Sequence, residues 1–574
     1  MVVKNVRCYA VSFGQVASAA LIFYVGGMHA LAQEPSPAKP IANVVDQSIA
    51  SPETRQKVEL KRRLETRGLL EQNRLLKTQL TGQRLFEREW EPETVSEAVI
   101  EKQKKRAGRA QLGVFERFPF KEDFVESDGL GPLYNAKSCV ACHVAGGASG
   151  VEHNVTLLTI DPQSVVEAVN RQLSTKALPK LAQDIDSVFP GFIDSRGRLL
   201  MSTLVHDYST RDGYESIRQG LANFVAGGID DAWFAPEKRQ IAAIAAQPVV
   251  SGRHESFDFY LSQRNSPPLF GMGEIEKIET RRLQLIAQSQ PKRSGGVVSG
   301  RLAGKFGWRG QVETLASFVS GACAGEMGLN QTLARQSIDP ADRSYSNFSV
   351  DVSQMEVMAL QSYVSSLPRP IETKADFDES HRTLRGERLF ATVGCEICHT
   401  GEIRPVSGIF SDLLLHDMGP ALQSPMPAPG TFVSNNRLNA PIFEEYRTTE
   451  TSGAGYYDSN LEIQSFPLPY PMARPDQPTF PKPISEDLFS NTNVPFESTW
   501  NGLQREWRTP PLWGVADSGP YLHDGRAATL EEAILMHGGE AELARNNYEK
   551  LSAKEKELIL EFLGSLRAPV PLVQ

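Results

Sequence analysis

Two short motifs carry the clearest chemistry in this sequence. Residues 139–143 read CVACH and residues 395–399 read CEICH. Cysteines three positions apart project from one turn, so each can form a thioether to a haem vinyl group, and the next histidine then lies under the iron. Zinc is the alternative, but it takes four ligands from one neighbourhood, and no nearby residues complete either set. The sequence therefore predicts two covalently attached haem c groups, held by Cys139, Cys142, His143, Cys395, Cys398 and His399.

The second axial position of each iron decides what the haem can do. A second protein ligand gives an electron-transfer haem, whereas an open or displaceable position lets the iron bind peroxide or oxygen. The remaining histidines and methionines are therefore the candidates for distal ligands.

The N-terminal segment has the pattern of an export signal. Lys4 and Arg7 precede an apolar stretch over residues 16–25, and Ala30-Leu31-Ala32 offers a cleavage site. An uncleaved anchor is the alternative, but the apolar stretch is shorter than the roughly 20 residues that span a bilayer. We therefore predict a signal peptide at 1–32, a periplasmic protein and no membrane span in the mature chain.

Composition and cysteine usage narrow the class of protein. A formal net charge of -9 argues against nucleic acid as a partner and leaves room for a basic redox protein. After cleavage, five cysteines remain, and four of them belong to the haem motifs. The fifth, Cys323, is expected to be a small buried apolar residue, so the chain is not a disulfide scaffold.

Hydrophobic periodicity predicts a mainly α fold with long irregular loops. The chain of 574 residues exceeds the size of a single core, which predicts more than one domain. Helical spacing marks 53–90, 165–173, 281–289, 354–367, 530–537 and 553–566, and short β-like runs such as 154–159 do not add up to a large sheet. The predicted organisation is a signal peptide at 1–32, a linker and charged helical extension at 33–81, an N-terminal haem domain at 82–370, and a C-terminal cytochrome c-like haem domain at 371–574 with a Pro-rich insertion at about 421–500.

Further segments occur in the order typical of a known family. They are GLGPLYNAKSCVACH (129–143), PPLFGMGEIEKI (267–278), GKFGWRGQVETL (304–315), LFATVGCEICH (389–399), SDLLLHDMGPAL (411–422), EWRTPPLWGVA (506–516) and YLHDGRAATLEEAILMHGGEA (521–541). From about Gly82 to Leu566 the chain resembles the dihaem oxidoreductase family, which is related to the bacterial dihaem cytochrome c peroxidases. The resemblance implies an exported, mostly helical fold with two cytochrome c-like haem domains. It also allows a calcium ion (Ca2+) between the domains, at no position that the sequence identifies.

The resemblance supplies a distal ligand for the second haem. In the related peroxidases a methionine that follows the H-D-G histidine ligates this haem, and its position here is His537, directly after Met536. A bis-histidine haem generally has a lower reduction potential than a histidine–methionine haem, because thioether ligation favours ferrous iron. The alternatives are ligation by Met536 instead, or a polar histidine at the end of an amphipathic helix for His537. His523 of the H-D-G motif is expected to lie near a propionate or to brace its loop.

The same resemblance implies two catalytic residues. Trp308 matches a tryptophan between the haems that would shorten electron tunnelling, with core packing as the alternative. Glu326 matches an acid/base residue that moves the peroxide proton, although the spacing is two residues shorter than in the family. A surface carboxylate at a helix end is the alternative for Glu326.

The distal position of the first haem has one candidate, His153. It follows His143 on a Gly-rich loop that we expect to be mobile enough to deliver or withdraw a ligand, with a surface histidine as the alternative. His416 is expected to be structural, with a position near the second haem as the alternative.

Three functions follow from these residues. The favoured one is reduction of hydrogen peroxide at the N-terminal haem, with electrons from a small exported cytochrome c or cupredoxin entering at the C-terminal haem. An electron carrier with both irons closed is the second. The third is a dihaem oxidase or oxygenase that acts on another substrate, for which the insertion at 421–500 would line the pocket.

Overall fold

The structure, a computed structural model, describes most of the chain after residue 51. The described residues are 52–92, 129–161, 164, 177–192, 198–200, 202–255, 257–331, 334, 336–342, 350–370, 377–425, 432–434 and 504–569. The predicted signal peptide, the helix predicted at 165–173 and most of the Pro-rich insertion lie outside these ranges. Contacts divide the chain into two units, Met1–Arg74 and Leu75–Gln574. The predicted boundary near residue 370 stays a prediction.

Helices provide the larger share of the regular structure, as the periodicity predicts. They are Pro52–Glu87, Cys139–Cys142, Ala177–Val188, Tyr214–Gly220, Ile241–Ala246, Met272–Glu276, Thr280–Arg293, Leu315–Met327, Gln354–Ser366, Phe377–Val393, Leu530–Leu535, Glu542–Glu549 and Ala553–Ser565. Three of them begin with a capping box, at Ser353, Thr529 and Ser552, in which a glutamate three residues later bonds back to the cap. Each box satisfies backbone donors that the first turn leaves free. None of the described helices is long and apolar enough to cross a membrane.

One sheet is larger than the sequence led us to expect. It has four antiparallel strands in the spatial order Ser202–Val205, Val155–Ile160, Phe257–Arg264 and Val249–His254. The second of these matches the β-like run at 154–159. Both faces of the sheet contribute buried side chains, so the strands lack the simple alternation that reveals a half-buried strand.

The other described strands are short and form two-stranded pairs. They are Leu133–Tyr134 with Tyr208–Ser209, Leu415–Asp417 with Glu506–Arg508, Phe432–Ser434 with Arg198–Leu200, and Glu402–Ile403 with Val406–Ser407. The first pair places the segment before Cys139 beside the strand Tyr208–Ser209, which directly follows Asp207. The second pair brings the segment after His399 against the residues that precede the H-D-G motif.

Three apolar clusters form the core of the described residues. One surrounds the helices Met272–Glu276, Leu315–Met327 and Gln354–Ser366, and it includes Cys323, which is buried as predicted. A second packs against the four-stranded sheet. The third joins the helices Phe377–Val393 and Ala553–Ser565, with Cys395 at its edge. Each haem motif therefore lies beside apolar packing.

Candidate functional site

The first motif places a neutral imidazole at the end of a short helix. Cys139–Cys142 form one helical turn, and the His143 amide donates to the Cys139 carbonyl at 3.0 Å. His143 Nδ1 lies 3.3 Å from the Gly147 carbonyl, which can only accept, so Nδ1 carries the proton. Burial lowers the pKa of His143 to about 4. The lone pair on Nε2 is therefore available to a metal at neutral pH.

The second motif repeats this arrangement. Cys395–Ile397 form a 3₁₀ turn, and the His399 amide donates to the Cys395 carbonyl at 2.9 Å. His399 Nδ1 donates to the Phe410 carbonyl at 2.9 Å, and burial lowers the pKa of this histidine to about 4. Its Nε2 lone pair is likewise left for a metal.

His537 lies within electrostatic reach of His399, and its Nδ1 is likewise bonded to a backbone carbonyl. Its helix, Leu530–Leu535, ends just before it, and its Nδ1 donates to the Ala533 carbonyl at 2.7 Å. Burial lowers the pKa of His537, and the charge of its ring in turn lowers the pKa of His399. Two neutral imidazoles within electrostatic reach, each with a free Nε2, fit the two axial ligands of one haem. The ligand role of His537 stays a prediction.

His416 belongs to a buried ionic cluster beside the second motif. Its Nε2 lies 2.9 Å from Asp412 Oδ2, its Nδ1 lies 2.6 Å from Glu540 Oε2, and Cys398 Sγ is 3.8 Å from Nδ1. These carboxylates and the cysteine hold the pKa of His416 well above its usual value despite burial. Cys398, Asp412 and His416 are close enough to hold a metal ion, but both ring nitrogens of His416 already face carboxylates. The cluster therefore fits a bracing role next to the haem attachment.

Glu326 stands beside the first motif rather than on the outer surface. Its helix, Leu315–Met327, ends at Gly328, where φ is +64° and a Cβ would lie 2.6 Å from the Leu133 carbonyl. Burial is the main cause of the raised pKa of the Cys142 thiol, and the charge of Glu326 raises that pKa further. Burial and the nearby Asp207 raise the pKa of Glu326 itself to about 7.

Asn135 holds Glu326 through its side-chain amide and through its backbone amide. Asn135 Nδ2 donates to Glu326 Oε2 at 2.7 Å, and the Asn135 backbone amide donates to the Glu326 carbonyl at 2.7 Å. The Asp207 backbone amide donates to Asn135 Oδ1 at 2.9 Å, which fixes the orientation of the amide group. The hydrogen bond from Asn135 Nδ2 favours the charged form of Glu326 and so opposes the rise in the pKa of Glu326. Sequence reasoning missed this residue, although it lies four positions before Cys139.

His153 lies within electrostatic reach of His143. The charge of its ring lowers the pKa of His143. The Gly-rich loop that carries it is hydrogen-bonded at several points: Arg239 Nη1 donates to the Asn154 carbonyl at 2.8 Å, and Asn265 Nδ2 donates to the Ser149 carbonyl at 3.1 Å. Arg239 is in turn paired with the Asp207 carboxylate inside the protein. The mobility of this loop and the role of His153 as a ligand both stay predictions.

Trp308 connects segments that belong to the two motifs. Its Nε1 donates to the Asn265 carbonyl at 2.8 Å, and the Asn265 side chain bonds the loop that follows His143. The Trp308 carbonyl accepts from the Arg508 amide at 3.0 Å, and Arg508 pairs with Leu415 near the second motif. Trp308 is partly exposed and is not among the buried core residues. The role of Trp308 between the haems stays a prediction.

His523 braces its loop through ring stacking and a backbone hydrogen bond. Its ring stacks on Trp507 with 3.6 Å between ring centroids and 13° between planes, and the Arg309 guanidinium lies 3.8 Å from the Trp507 centroid. The His523 carbonyl accepts from the Asn265 amide at 2.8 Å. Burial and the neighbouring arginines hold the pKa of His523 well below its usual value. The bracing role that we predicted for His523 fits these contacts.

The sequence of the C-terminal segment matches a known family. Residues 496–566 match the family described as "Di-haem oxidoreductase, putative peroxidase", which confirms the resemblance predicted from the motifs. The matched segment contains Trp507, His523 and His537. No curated protein matches the chain. The match supports a haem-dependent oxidoreductase.

Two solved structures resemble the chain only weakly. Hydrazine synthase of Kuenenia stuttgartiensis is 19% identical, over 53% of this chain and 73% of its own, with a TM-score of 0.23. A MauG-like protein associated with microbial copper homeostasis is 16% identical, over 55% of this chain and 74% of its own, with a TM-score of 0.24. At such TM-scores neither likeness supports an argument about this chain.

Proposed function

We propose that the chain is an exported dihaem c-type cytochrome that reduces hydrogen peroxide at its first haem, with electrons delivered through its second. The observation that carries this proposal is the position of the Glu326 carboxyl group beside the first motif, where Asn135 Nδ2 donates to it at 2.7 Å. A neutral imidazole, that of His537, lies within electrostatic reach of the second motif.

The residues present fit two haem groups. Three histidines, His143, His399 and His537, direct Nδ1 to a backbone carbonyl and keep Nε2 for iron. Burial raises the pKa of the motif cysteines, so they are uncharged at neutral pH, and the thioethers that would hold the haems are uncharged as well. When bound, the haems would supply the iron at which peroxide accepts electrons and the centre that receives electrons from a donor.

Glu326 would transfer a proton between the two oxygens of hydrogen peroxide. As a carboxylate it takes the proton from one oxygen of bound hydrogen peroxide, and as a carboxylic acid it gives that proton to the other oxygen as the O–O bond breaks. Two electrons and two further protons complete the conversion of one peroxide into two water molecules. A pKa near 7 suits this role because both forms of the carboxyl group are populated at neutral pH.

Trp308 would support electron transfer between the haems, because its hydrogen bonds tie it to segments of both motifs. The donor would be a small exported cytochrome c or cupredoxin. A basic docking face on that donor would complement the acidic net charge of this chain, -9.

Replacement of Asn135 by alanine should move the pH profile of peroxide reduction. Its hydrogen bond favours the charged form of Glu326, so its loss should raise the pKa of Glu326 further. Because the carboxylate is the proton acceptor, the acid limb of kcat/KM against pH should shift to higher pH. Stopped-flow rates between pH 5 and 9 would measure the shift. An acid limb at the wild-type pH would contradict the proposed link between Asn135 and Glu326.

The proposed activity is tested with peroxide and a reduced donor. Oxidation of a reduced small cytochrome c by the holoprotein should depend on hydrogen peroxide, with two donor molecules oxidised for each peroxide. Absence of peroxide-dependent oxidation with several cytochrome and cupredoxin donors would contradict the proposal.

One observation favours a second candidate, an electron carrier. His153 lies within electrostatic reach of His143, and a histidine bound there in every oxidation state would close the first iron. The first haem would then remain six-coordinate and low-spin after partial reduction. The peroxidase proposal instead expects the first haem to have an open axial position after partial reduction.

A further inference from the structure

Arg508 is a buried cation whose hydrogen bonding is incomplete. It ends the strand Glu506–Arg508 and is only 4% exposed. Its Nε donates to the Gly307 carbonyl at 2.8 Å. Within the described part of the chain, its Nη1 is buried and has no hydrogen-bond partner.

Three neighbouring buried arginines have a carboxylate partner or several carbonyl acceptors, although not every guanidinium nitrogen of theirs is hydrogen-bonded. Arg309 donates to the carbonyls of Glu506, Ser424 and Gln504 at 2.7, 2.6 and 3.0 Å. Arg301 is paired with the Glu506 carboxylate, and Arg526 with that of Asp524. Burial lowers the pKa of Arg508 to about 10, which still leaves it charged at neutral pH. A buried cation without a counter-ion is strongly destabilising, so this position calls for an anion.

Asp412 cannot fully serve as that anion. Its charge acts on Arg508 from a distance and raises the pKa of the guanidinium. Its oxygens, however, already accept from Gln290 Nε2, from His416 Nε2 at 2.9 Å and from the Leu414 amide at 2.9 Å. Within the described residues, Arg508 Nη1 therefore has no acceptor.

The position of Arg508 relates it to the second haem motif. The residue after it, Thr509, donates its amide to the Leu414 carbonyl at 2.9 Å and accepts from Ser411 Oγ at 2.7 Å. Ser411 directly follows Phe410, whose carbonyl holds His399. The backbone at Arg508 thus runs along the segment that orients the proximal ligand of the second haem.

We propose that Arg508 Nη1 binds a propionate carboxylate of the haem attached at Cys395 and Cys398. A charge-assisted hydrogen bond to a carboxylate satisfies the free donor and neutralises the buried cation. The proposal rests on the part of the proposed function that gives the second motif a haem, and it does not depend on peroxide reduction.

The test is the reduction potential of each haem in Arg508→Gln and Arg508→Lys. Loss of the cation leaves the propionate charge uncompensated, which stabilises ferric iron, so the potential of the second haem should fall in R508Q. The lysine variant keeps the charge and should shift less. The first haem should keep its potential in both variants. Arg388→Gln is the matched control, since it removes an exposed charge from the helix that leads to the second motif.

Spectroelectrochemical titration resolves the two haems, and a haem assay in alkaline pyridine first establishes that two haems are attached. Fewer than two haems would reject the haem assignment itself, whatever the peroxide activity. An unchanged second-haem potential in R508Q, or a shift confined to the first haem, would overturn the role of Arg508. If R508Q does not fold, the propionate bending mode of R508K in resonance Raman spectra decides: a shifted mode at the second haem supports the contact, and a wild-type mode overturns it.

Discussion

Replacing Glu326 with glutamine should slow peroxide reduction by about two to four orders of magnitude, the usual contribution of a positioned acid/base group. Glutamine keeps the shape of the side chain and can accept the hydrogen bond from Asn135 Nδ2 at its own oxygen. It cannot take a proton from peroxide. The loss should therefore appear in kcat and in the single-turnover rate, with both haem spectra unchanged.

Glu313→Gln is the matched control for this variant. Glu313 precedes the same helix, Leu315–Met327, and burial raises its pKa too, but it bonds Thr280 and not the first motif. It should react with peroxide at the wild-type rate. Equal rates in E326Q and the wild-type protein would exclude Glu326 as the proton-transfer group.

The same substitution has a predictable effect on stability. The pKa of Glu326 is raised in the folded protein, so its contribution favours folding at low pH and is lost as pH rises from about 4.5 towards about 7. The neutral glutamine has no such dependence. Relative to wild type, E326Q should therefore gain stability in chemical denaturation as pH rises from 5 to 8, which also separates misfolding from loss of the proton-transfer group.

Replacing His537 with glycine should convert the second haem from a six-coordinate low-spin species to a high-spin one. His537 Nδ1 donates to the Ala533 carbonyl and its ring lies within electrostatic reach of His399, whereas glycine offers no metal ligand. Visible absorption and electron paramagnetic resonance spectra would report the change. Added imidazole should restore the low-spin spectrum, which a purely structural role of His537 would not allow.

Met536→Leu tests the adjacent alternative ligand. Met536 caps the same helix, so the substitution disturbs the same turn without removing an imidazole. Its spectra should match those of the wild-type protein. Loss of the low-spin species in M536L, with retention in H537G, would assign the ligand to Met536 instead.

Local patterns in the sequence were enough to predict the motif residues that would hold the haems. A C-x-x-C-H unit fixes its own geometry within one turn, and the structure shows both histidines with Nδ1 on a backbone carbonyl. His537 comes instead from the family resemblance, which matches it to a methionine ligand of the related peroxidases. The motif residues act through neighbours close in the chain, which is why their spacing predicts them.

The supporting residues could not be predicted because their partners are distant in sequence. Asn135 bonds Glu326 across 191 positions, and Gln290 bonds Asp412 across 122. The four-stranded sheet also depends on pairing between remote segments, such as Thr156 with Gln263. Only the folded chain brings these groups together, and no local periodicity marks them.

The central claim is that the first haem reduces peroxide with an electron stored at the second. The most direct measurement is to reduce the holoprotein to the one-electron level, add one equivalent of hydrogen peroxide, and follow the Soret and visible bands by stopped flow. We predict rapid oxidation of the reduced second haem, with a first haem that is open to ligand before peroxide is added. No reaction, with both haems six-coordinate and low-spin throughout, would contradict the claim and leave an electron carrier.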